Sequence, residues 1–301
     1  METGPIKADL RGKVAVVAGA TRGSGRGIAV ELGAAGATVY CTGRSVRGQL
    51  SDMGRIETIE ETAELVSAGG GVGIPVRVDH TREAEVQALF ERVRQEQHGQ
   101  LDLLVNDIWG GDSLIEWGQP FWELAPETAR LLLERSIFSH IVTSRYGLPL
   151  MLEHGAGLVI EVTDGDTLDY RGNLLYDLIK TSVIRLALGM AKDLERKGVT
   201  ALALTPGFLR SEAMLDHFGV TEANWRDAVA KDRYFAESET PHYIGRAVVA
   251  LAGDPKVAVK AGKAWSTWTL VDEYGFTDVD GRQPHWGRFF RQMQEQEAVS
   301  K

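Results

Sequence analysis

The sequence predicts an α/β fold built on a doubly wound parallel sheet, with about seven strands and helices on both faces. Short apolar runs of strand length alternate with longer segments whose apolar residues recur at helical spacing, and this order is typical of parallel βαβ units. The first apolar run, Val-Ala-Val-Val-Ala at residues 14–18, is uninterrupted. Such a run is expected of a strand that is buried on both faces of a parallel sheet.

The remaining elements follow at regular intervals. The predicted strands cover residues 14–18, 37–42, 72–78, 101–105, 158–163, 199–204 and 263–270. Predicted helices separate them, among them a long helix over 127–153 and one that contains Tyr176 and runs to about residue 197. Because no repeat, low-complexity tract or linker divides the chain, we predict one domain over residues 1–301, with a substrate-loop region at about 208–240.

Composition narrows the classes of function. The 301 residues carry a net charge of -9, with 44% hydrophobic and 25% charged residues, which argues against nucleic acid or an anionic membrane as a partner. The polar start at residues 1–10 does not resemble a signal peptide, and no apolar run reaches the length of a membrane span. The single cysteine, Cys41, favours a reducing compartment, and we predict a cytoplasmic protein. The histidines show no metal-ligand spacing, so no metal site is expected.

A glycine-rich turn connects the first strand to the first helix. It reads Gly19-x-x-x-Gly23-x-Gly25, and the helix continues from Gly27. In a strand–turn–helix context, such glycines allow the backbone to approach a pyrophosphate, which the helix N-terminus then stabilises. Read without this context, the same glycines would indicate only a tight turn.

Tyr176 and Lys180 are four residues apart, which places both side chains on one face of a helix. An ammonium close to a phenol stabilises the phenolate and lowers the pKa of the phenol, so the pair is typical of a general acid/base that works near neutral pH. The competing interpretation is a surface pair on an ordinary helix.

Taken together, these motifs resemble the compact, single-domain branch of the short-chain dehydrogenase/reductases over about residues 10–275. Further matches are Asp79, Asn106 and Pro206-Gly207, each of which follows a predicted strand. Residues 39–44 and 273–280 are similar to one subgroup of that family, the member-one group of dehydrogenase/reductases and its bacterial relatives. The fold implied is Rossmann-like.

The resemblance implies roles for individual residues. Tyr176 is the expected general acid/base for hydride transfer between a nicotinamide and a carbonyl or alcohol substrate, and Lys180 lowers its pKa and binds the nicotinamide ribose. Thr163 stands where the family has an orienting serine, and Ser136 stands at about the position of the family's relay asparagine. The implied cofactor-binding residues are Gly19, Thr21, Arg22, Gly23, Ser24, Gly25, Arg44, Ser45, Asp79, Asn106, Tyr176, Lys180, Pro206 and Gly207.

Charge predicts the choice of nucleotide. The second strand ends in Thr42-Gly43-Arg44-Ser45, without the acidic residue that binds the adenosine ribose in NAD-dependent enzymes. Arg44 and Arg22 offer guanidinium groups that suit a 2′-phosphate. We therefore expect NADP (NADPH) to be preferred over NAD.

The substrate is less defined by the sequence. Trp109, Asp164 and Phe208 lie in the stretches that line the substrate cleft in this family, and the aromatic residues there suit a flat or hydrophobic carbonyl compound. A homodimer or homotetramer is expected, as is usual for the family. Two other interpretations remain open: a cofactor-binding sensor or scaffold without turnover, and a lyase such as a dehalogenase on the same fold.

Overall fold

The structure is a computed structural model that describes residues 8–299 apart from residues 50 and 52. Its strands are β1 (Val14–Ala18), β2 (Thr38–Gly43), β3 (Val72–Arg77), β4 (Leu103–Asn106), β5 (Gly157–Val162), β6 (Val199–Thr205) and β7 (Ala264–Ser266). They form one parallel sheet in the order β3-β2-β1-β4-β5-β6-β7. The predicted fold class, a doubly wound parallel sheet of seven strands, is confirmed.

Helices cover both faces of the sheet. They are α1 (Gly23–Ala34), α2 (Ile59–Ala68), α3 (Glu83–Glu96), α4 (Pro126–Leu133), α5 (Ser139–His154), α6 (Leu174–Asp193), α7 (Glu212–Phe218), α8 (Pro241–Gly253), α9 (Thr267–Tyr274) and α10 (Trp286–Val299). Residues 1–7, 300 and 301 of the predicted single domain lie outside the described residues.

Alternation of side chains along β1 explains the two cores. Ala15 and Val17 point into a cluster formed with α1, α2, α8 and α9. Val14 and Val16 point to the opposite face, into a cluster formed with α3, α5 and α6. Because successive residues of a strand face opposite sides, an uninterrupted apolar run supplies both clusters.

Two predicted elements differ from the structure. The predicted strand over 263–270 ends at Ser266, where a capping box between Ser266 and Thr269 begins α9. The predicted helix over 127–153 is divided into α4 and α5 by a π-helical turn, Glu134–Phe138. This turn packs against α6, with Ile137 beside Leu175 and Ile179.

Candidate active site

A cavity of about 1110 Å³ lies along the carboxyl ends of the strands. It spans the point at which the strand order reverses, between β1 and β4, where open α/β sheets bind their ligands. Of the predicted site residues, those that line it are Gly19, Thr21, Arg22, Gly23, Ser24, Arg44, Ser45, Asp79, Trp109, Thr163, Asp164, Tyr176, Lys180, Pro206, Gly207 and Phe208.

The glycine turn is shaped for a close backbone approach. Gly19 has a positive φ of 94°, and a Cβ placed on it would lie 2.3 Å from the carbonyl oxygen of Asp107. A Cβ on Gly25 would lie 2.3 Å from the carbonyl oxygen of Gly19. Side chains at these two positions are therefore excluded by the backbone itself.

An anionic group already contacts the N-terminus of α1. The backbone amide of Gly23 donates a hydrogen bond of 2.9 Å to the carboxylate of Glu212, at the start of α7. This carboxylate stands in for a phosphate, because the exposed amides at a helix N-terminus favour any anion. The donor set at this position therefore fits the pyrophosphate of a dinucleotide.

Basic side chains lie at the far end of the same cavity. The Nη1 atom of Arg22 is buried and has no hydrogen-bond partner among the residues that the structure describes. Arg44 lies near Asp79; burial opposes ionisation of Asp79, but hydrogen bonds from Thr81 and the charge of Arg44 leave its pKa below the usual value. An orphaned buried guanidinium nitrogen fits a phosphate ligand, as a 2′-phosphate would supply.

Helix α6 positions Tyr176 and Lys180. The side chain of Asn173 caps the helix, accepting hydrogen bonds from the amides of Leu175 (3.1 Å) and Tyr176 (3.2 Å). Nζ of Lys180 lies 4.4 Å from the ring centroid of Trp109 and 5.5 Å from that of Tyr176. Tyr176 and Lys180 therefore face one cavity together, as their spacing predicts.

A carboxylate accepts the hydrogen bond of the phenol. The hydroxyl of Tyr176 donates to Oδ2 of Asp164 at 2.8 Å. Burial and the adjacent Asp164 raise the pKa of Tyr176 well above its usual value. The expectation that Lys180 lowers this pKa is not met in this structure. Burial also lowers the pKa of Lys180, against the opposing charges of Asp164 and Asp107.

Thr163 lines the cavity, but its hydroxyl bonds to the backbone in this structure. Its Oγ1 donates to the backbone carbonyl of Lys180 at 2.7 Å, which joins the end of β5 to α6. The single hydroxyl proton is thereby committed to that carbonyl. Asp164, the next residue, contacts Tyr176 instead.

Three other predicted residues lie behind the cavity rather than in its wall. Asn106 donates to the buried carboxylate of Glu161 (2.7 Å) and to Ser144 (2.9 Å), because a buried carboxylate requires donors. Ser136 is buried in the π-helical turn, and its Oγ lacks a hydrogen-bond partner within the described part of the chain. Gly25 contributes its backbone amide to the carboxylate of Asp107.

Aromatic rings form the walls beside Tyr176. The ring centroids of Trp109 and Trp117 lie 5.7 Å and 5.3 Å from that of Tyr176. Phe208 packs edge-on against Trp286, with 5.9 Å between the centroids. All of these rings line the cavity, whereas Trp225, in the predicted substrate loop, belongs to a separate buried cluster.

Comparison with known proteins identifies the family. The model of the short chain dehydrogenase family matches residues 13–218. The chain belongs to this family. Human dehydrogenase/reductase SDR family member 1 is 37% identical over 281 residues, which are 92% of this chain and 86% of that protein. The 7alpha-hydroxysteroid dehydrogenase of Escherichia coli is 25% identical over 257 residues, 81% of this chain and 94% of that protein.

Solved structures of similar shape agree with the fold. A short chain dehydrogenase from Mycobacterium thermoresistibile has a TM-score of 0.75 at 22% identity, and covers 92% of each chain. A hydroxysteroid dehydrogenase from Escherichia coli has a TM-score of 0.68 at 23% identity, over 86% of this chain and 97% of that chain. The protein is therefore an oxidoreductase of the short-chain dehydrogenase family, whose members use NAD(P) cofactors.

Some residues of this short-chain dehydrogenase were not predicted as site residues. Asp107 lines the cavity, and burial raises its pKa to about 7, against the charge of Lys180 and a hydrogen bond from Gly25. Arg77 and Arg82 line the cavity near Arg44. Asp107 follows β4 directly, Arg77 is the last residue of β3, and Arg82 lies shortly after it; these positions were the available signal, since carboxyl ends of parallel strands carry ligand contacts. Nothing local to Glu212 indicated its contact with Gly23.

No helix in the described part of this dehydrogenase is long and apolar enough to cross a bilayer.

Proposed function

We propose that this short-chain dehydrogenase is an NADP-dependent oxidoreductase for a carbonyl or alcohol substrate, with Tyr176 as general acid/base. The observation that carries the proposal is that the Tyr176 hydroxyl and Lys180 face the same cavity as the glycine turn and the orphaned Arg22 nitrogen. A sensor or scaffold would have no need of this arrangement of a phenol and an amine.

The chemistry divides between the cofactor and the chain. A reduced nicotinamide, when bound, supplies a hydride to the carbonyl carbon. Tyr176 gives its phenolic proton to the carbonyl oxygen, which becomes the alcohol hydroxyl. The ammonium of Lys180 would stabilise negative charge that develops on the phenol oxygen during the transfer and would bind the ribose hydroxyls, as the family resemblance implies. General acid catalysis of this kind contributes roughly a hundred- to ten-thousandfold in rate.

Arginines support NADP over NAD. Arg22, within the glycine turn, and Arg44, which follows β2, both line the cavity, and Arg82 adds a further positive charge to its lining. No carboxylate ends β2, which closes with Thr42 and Gly43. A 2′-phosphate would therefore meet guanidinium groups rather than a repelling acid.

The aromatic walls support an apolar, flat substrate. Trp109 and Trp117 pack against the ring of Tyr176, and Phe208 and Trp286, which pack against each other, line the same cavity. One relative is named for its action on a hydroxysteroid, and a fused-ring alcohol or ketone of that shape suits these walls.

A cytoplasmic location, inferred from the single buried Cys41, stays a prediction.

A substrate screen tests the proposal. Purified protein is incubated with NADPH and a panel of ketones, aldehydes and quinones that includes fused-ring ketones, and NADPH oxidation is followed by absorbance. We expect substrate-dependent oxidation of NADPH, faster with fused-ring ketones than with short aliphatic ones. If NADPH binds but no carbonyl compound in the panel is reduced and no corresponding alcohol is oxidised with NADP, the oxidoreductase proposal fails.

A further inference from the structure

Asp164 holds a position that the proposed acid/base mechanism has not yet used. It follows β5 directly, and its Oδ2 accepts the hydrogen bond of the Tyr176 hydroxyl at 2.8 Å. In this arrangement the phenolic hydrogen points to a carboxylate rather than to a substrate. Asp164 is therefore positioned to accept the phenolic proton of Tyr176.

The loop that carries Asp164 is firmly held. Nε of Arg171 donates to the backbone carbonyl of Asp164 at 2.6 Å, and its Nη1 pairs with Asp177 in the first turn of α6 at 2.9 Å. The amide of Gly165 donates to Oγ1 of Thr205 at 2.8 Å. These bonds hold the loop backbone to both β6 and α6. The loop therefore keeps the carboxylate of Asp164 beside the hydroxyl of Tyr176.

Gly165 makes this turn possible. Its φ is +76°, a conformation that favours glycine, and a Cβ there would lie 2.8 Å from Nη2 of Arg171. Asp164 itself is only partly buried and lines the cavity, so its side chain is accessible to solvent there.

The charges around the phenol come from several elements. Asp164 and Arg171 lie on the loop between β5 and α6, Lys180 lies on α6, and Asp112 and Asp107 lie beyond β4. Asp164 is the one that touches the hydroxyl. A phenolate formed at Tyr176 would lie beside this carboxylate, and the repulsion between two adjacent anions favours rapid return of a proton.

We propose that Asp164 is the group that takes the proton of Tyr176 during alcohol oxidation. The phenolic hydrogen points to the Asp164 carboxylate, so the phenol oxygen can accept a proton from the substrate alcohol. As the alcohol carbon gives its hydride to an oxidised nicotinamide, the alcohol proton goes to the phenol oxygen and the phenolic proton goes to Asp164; carbonyl reduction is the reverse of this step.

The products of this step are a carbonyl compound, an intact Tyr176 phenol and a protonated Asp164. Asp164 then releases this proton to water in the cavity, so the net reaction yields one hydride on the nicotinamide and one proton per alcohol oxidised. The hydrogen bond from Tyr176 to Asp164 that the structure contains is the state from which the transfer begins. The proposal rests on the proposed function of Tyr176, and Asp164 acts through Tyr176 rather than on the substrate.

The first test measures the phenol without turnover. The ultraviolet absorbance of tyrosinate is followed against pH, and the signal of Tyr176 is isolated by subtraction of the Tyr176→Phe variant. Asp164→Asn is expected to lower the pKa of Tyr176, because it removes the adjacent negative charge. The matched control is Asp166→Asn, a change in the same loop at an acid outside the cavity lining. An unchanged phenol titration in Asp164→Asn would overturn the proposal.

The second test separates proton transfer from simple positioning. Asp164→Ser, with NADPH and a substrate found in the screen, should reduce kcat roughly tenfold or more with little change in KM, in keeping with loss of a proton-transfer group. Formate should restore kcat at least severalfold in Asp164→Ser and leave Asp166→Asn unaffected. A kcat equal to that of the unmodified protein, or a slow variant that formate does not restore, would contradict the relay.

The two proposals fail in different ways. If Tyr176→Phe turns over at the rate of the unmodified protein, the general acid is another group and the proposed function fails. If Tyr176→Phe is inactive while Asp164→Ser behaves as the unmodified protein does, only the relay through Asp164 is wrong.

Discussion

At the scale of single residues, the polar atoms of the site are divided between binding anions and handling protons. The glycine turn, Arg22 and the N-terminus of α1 present donors, and one of these already holds the carboxylate of Glu212. The β5–α6 side presents the phenol and its acceptor, Asp164. This separation lets a dinucleotide phosphate and a reacting carbonyl be recognised by different parts of one cavity.

The arginines carry a prediction about nucleotide preference. Arg44→Asp should weaken NADPH binding and favour NADH, shifting the ratio of the two dissociation constants by roughly tenfold or more, since a charge-assisted hydrogen bond contributes about 1.5–3 kcal/mol. Titration of each nucleotide, followed by tryptophan fluorescence, measures the ratio. Arg92→Asp, on α3 and paired with Glu96, controls for the change in net charge. Equal affinities of the unmodified protein for NADPH and NADH would exclude the predicted role.

The sequence predicts those features of the site that depend on local spacing. It does not predict which hydrogen-bond partners the buried polar side chains take. Tyr176, Lys180 and the glycines follow from spacing, which a helix or a turn converts directly into geometry. Asn106 and Thr163 were assigned by position along the chain. Their polar atoms instead bond to the Glu161 carboxylate and to the Lys180 carbonyl. The choice between possible hydrogen-bond partners depends on how separate helices and strands pack, and the local sequence does not indicate it.

At the scale of elements, α6 determines how accurately the phenol is placed. Tyr176 lies in its first turn, where Asn173 satisfies two backbone amides that the helix leaves without partners. Asn173 also donates to the backbone carbonyl of Glu116, which links α6 to the segment that carries Trp117. The cap thus joins the catalytic helix to one aromatic wall.

Removal of this cap gives a second prediction. Asn173→Ala should lower the free energy of unfolding by about 1 kcal/mol, the usual effect of losing a helix N-cap, and should reduce turnover because the first turn then frays. Asn173→Ser, which keeps a capping oxygen, should retain most of both. Urea denaturation and initial rates provide the measurements. An Asn173→Ala protein as stable as the unmodified protein would show that the cap has no energetic role.

Element boundaries were predictable where a turn signal is strong and not where it is weak. The three glycines at residues 69–71 directly follow the end of α2, and Gly99 lies three residues beyond the end of α3, so glycine accompanies both helix ends. The predicted seventh strand was too long because the capping box of Ser266 and Thr269 lacks the acidic residue that usually signals a helix start. The apolar residues Trp268, Leu270 and Val271 would suit a buried strand as well as a buried helix. The π-helical turn at Glu134–Phe138 has no simple sequence signature.

At the scale of the whole molecule, apolar residues remain exposed on the two helices that flank the site. Ile141 on α5 is 44% exposed, and Leu178 on α6 is 48% exposed, whereas Ile179 and Val183 are buried in the core. Phe138, the last residue of the π-helical turn before α5, is also exposed. We propose that this surface joins two copies of the chain in a homodimer or homotetramer.

Mass measurement tests the assembly. Light scattering at micromolar concentration should give at least twice the mass of one chain. Ile141→Glu should shift the protein toward the monomer, because a buried unpaired carboxylate is costly at an apolar interface. Leu65→Glu is the control, since Leu65 is similarly exposed, at 41%, on α2. A monomeric mass for the unmodified protein would refute the proposal.

One buried histidine, His80, influences how the free energy of unfolding of the whole fold depends on pH. Burial lowers the pKa of His80 to about 3, and its ring lies 2.8 Å from the hydroxyls of both Thr42 and Thr143. Below pH 6.5 the unfolded chain binds a proton at this residue and the folded chain does not. Stability is therefore fully present above about pH 6.5 and falls as the pH drops toward 3, by at most about 1.4 kcal/mol per pH unit.

Urea unfolding at pH 7 and pH 5 checks this sign. The unmodified protein should lose stability between the two values, and His80→Gln should lose roughly 1–2 kcal/mol less over the same interval. His98→Asn, at an exposed position, should behave as the unmodified protein does. Equal losses in His80→Gln and the unmodified protein would mean that His80 is not the group responsible.

Tyr176 is the proposed general acid of a carbonyl reductase, and the turnover of Tyr176→Phe relative to the unmodified protein is the most direct test of this role. Tyr176→Phe removes only the hydroxyl, so the ring contacts with Trp109 and Trp117 and the cofactor site should remain. At saturating NADPH and with a substrate from the screen, we expect kcat to fall about a hundred- to ten-thousandfold while NADPH affinity is unchanged. Similar turnover rates for Tyr176→Phe and the unmodified protein would contradict the account.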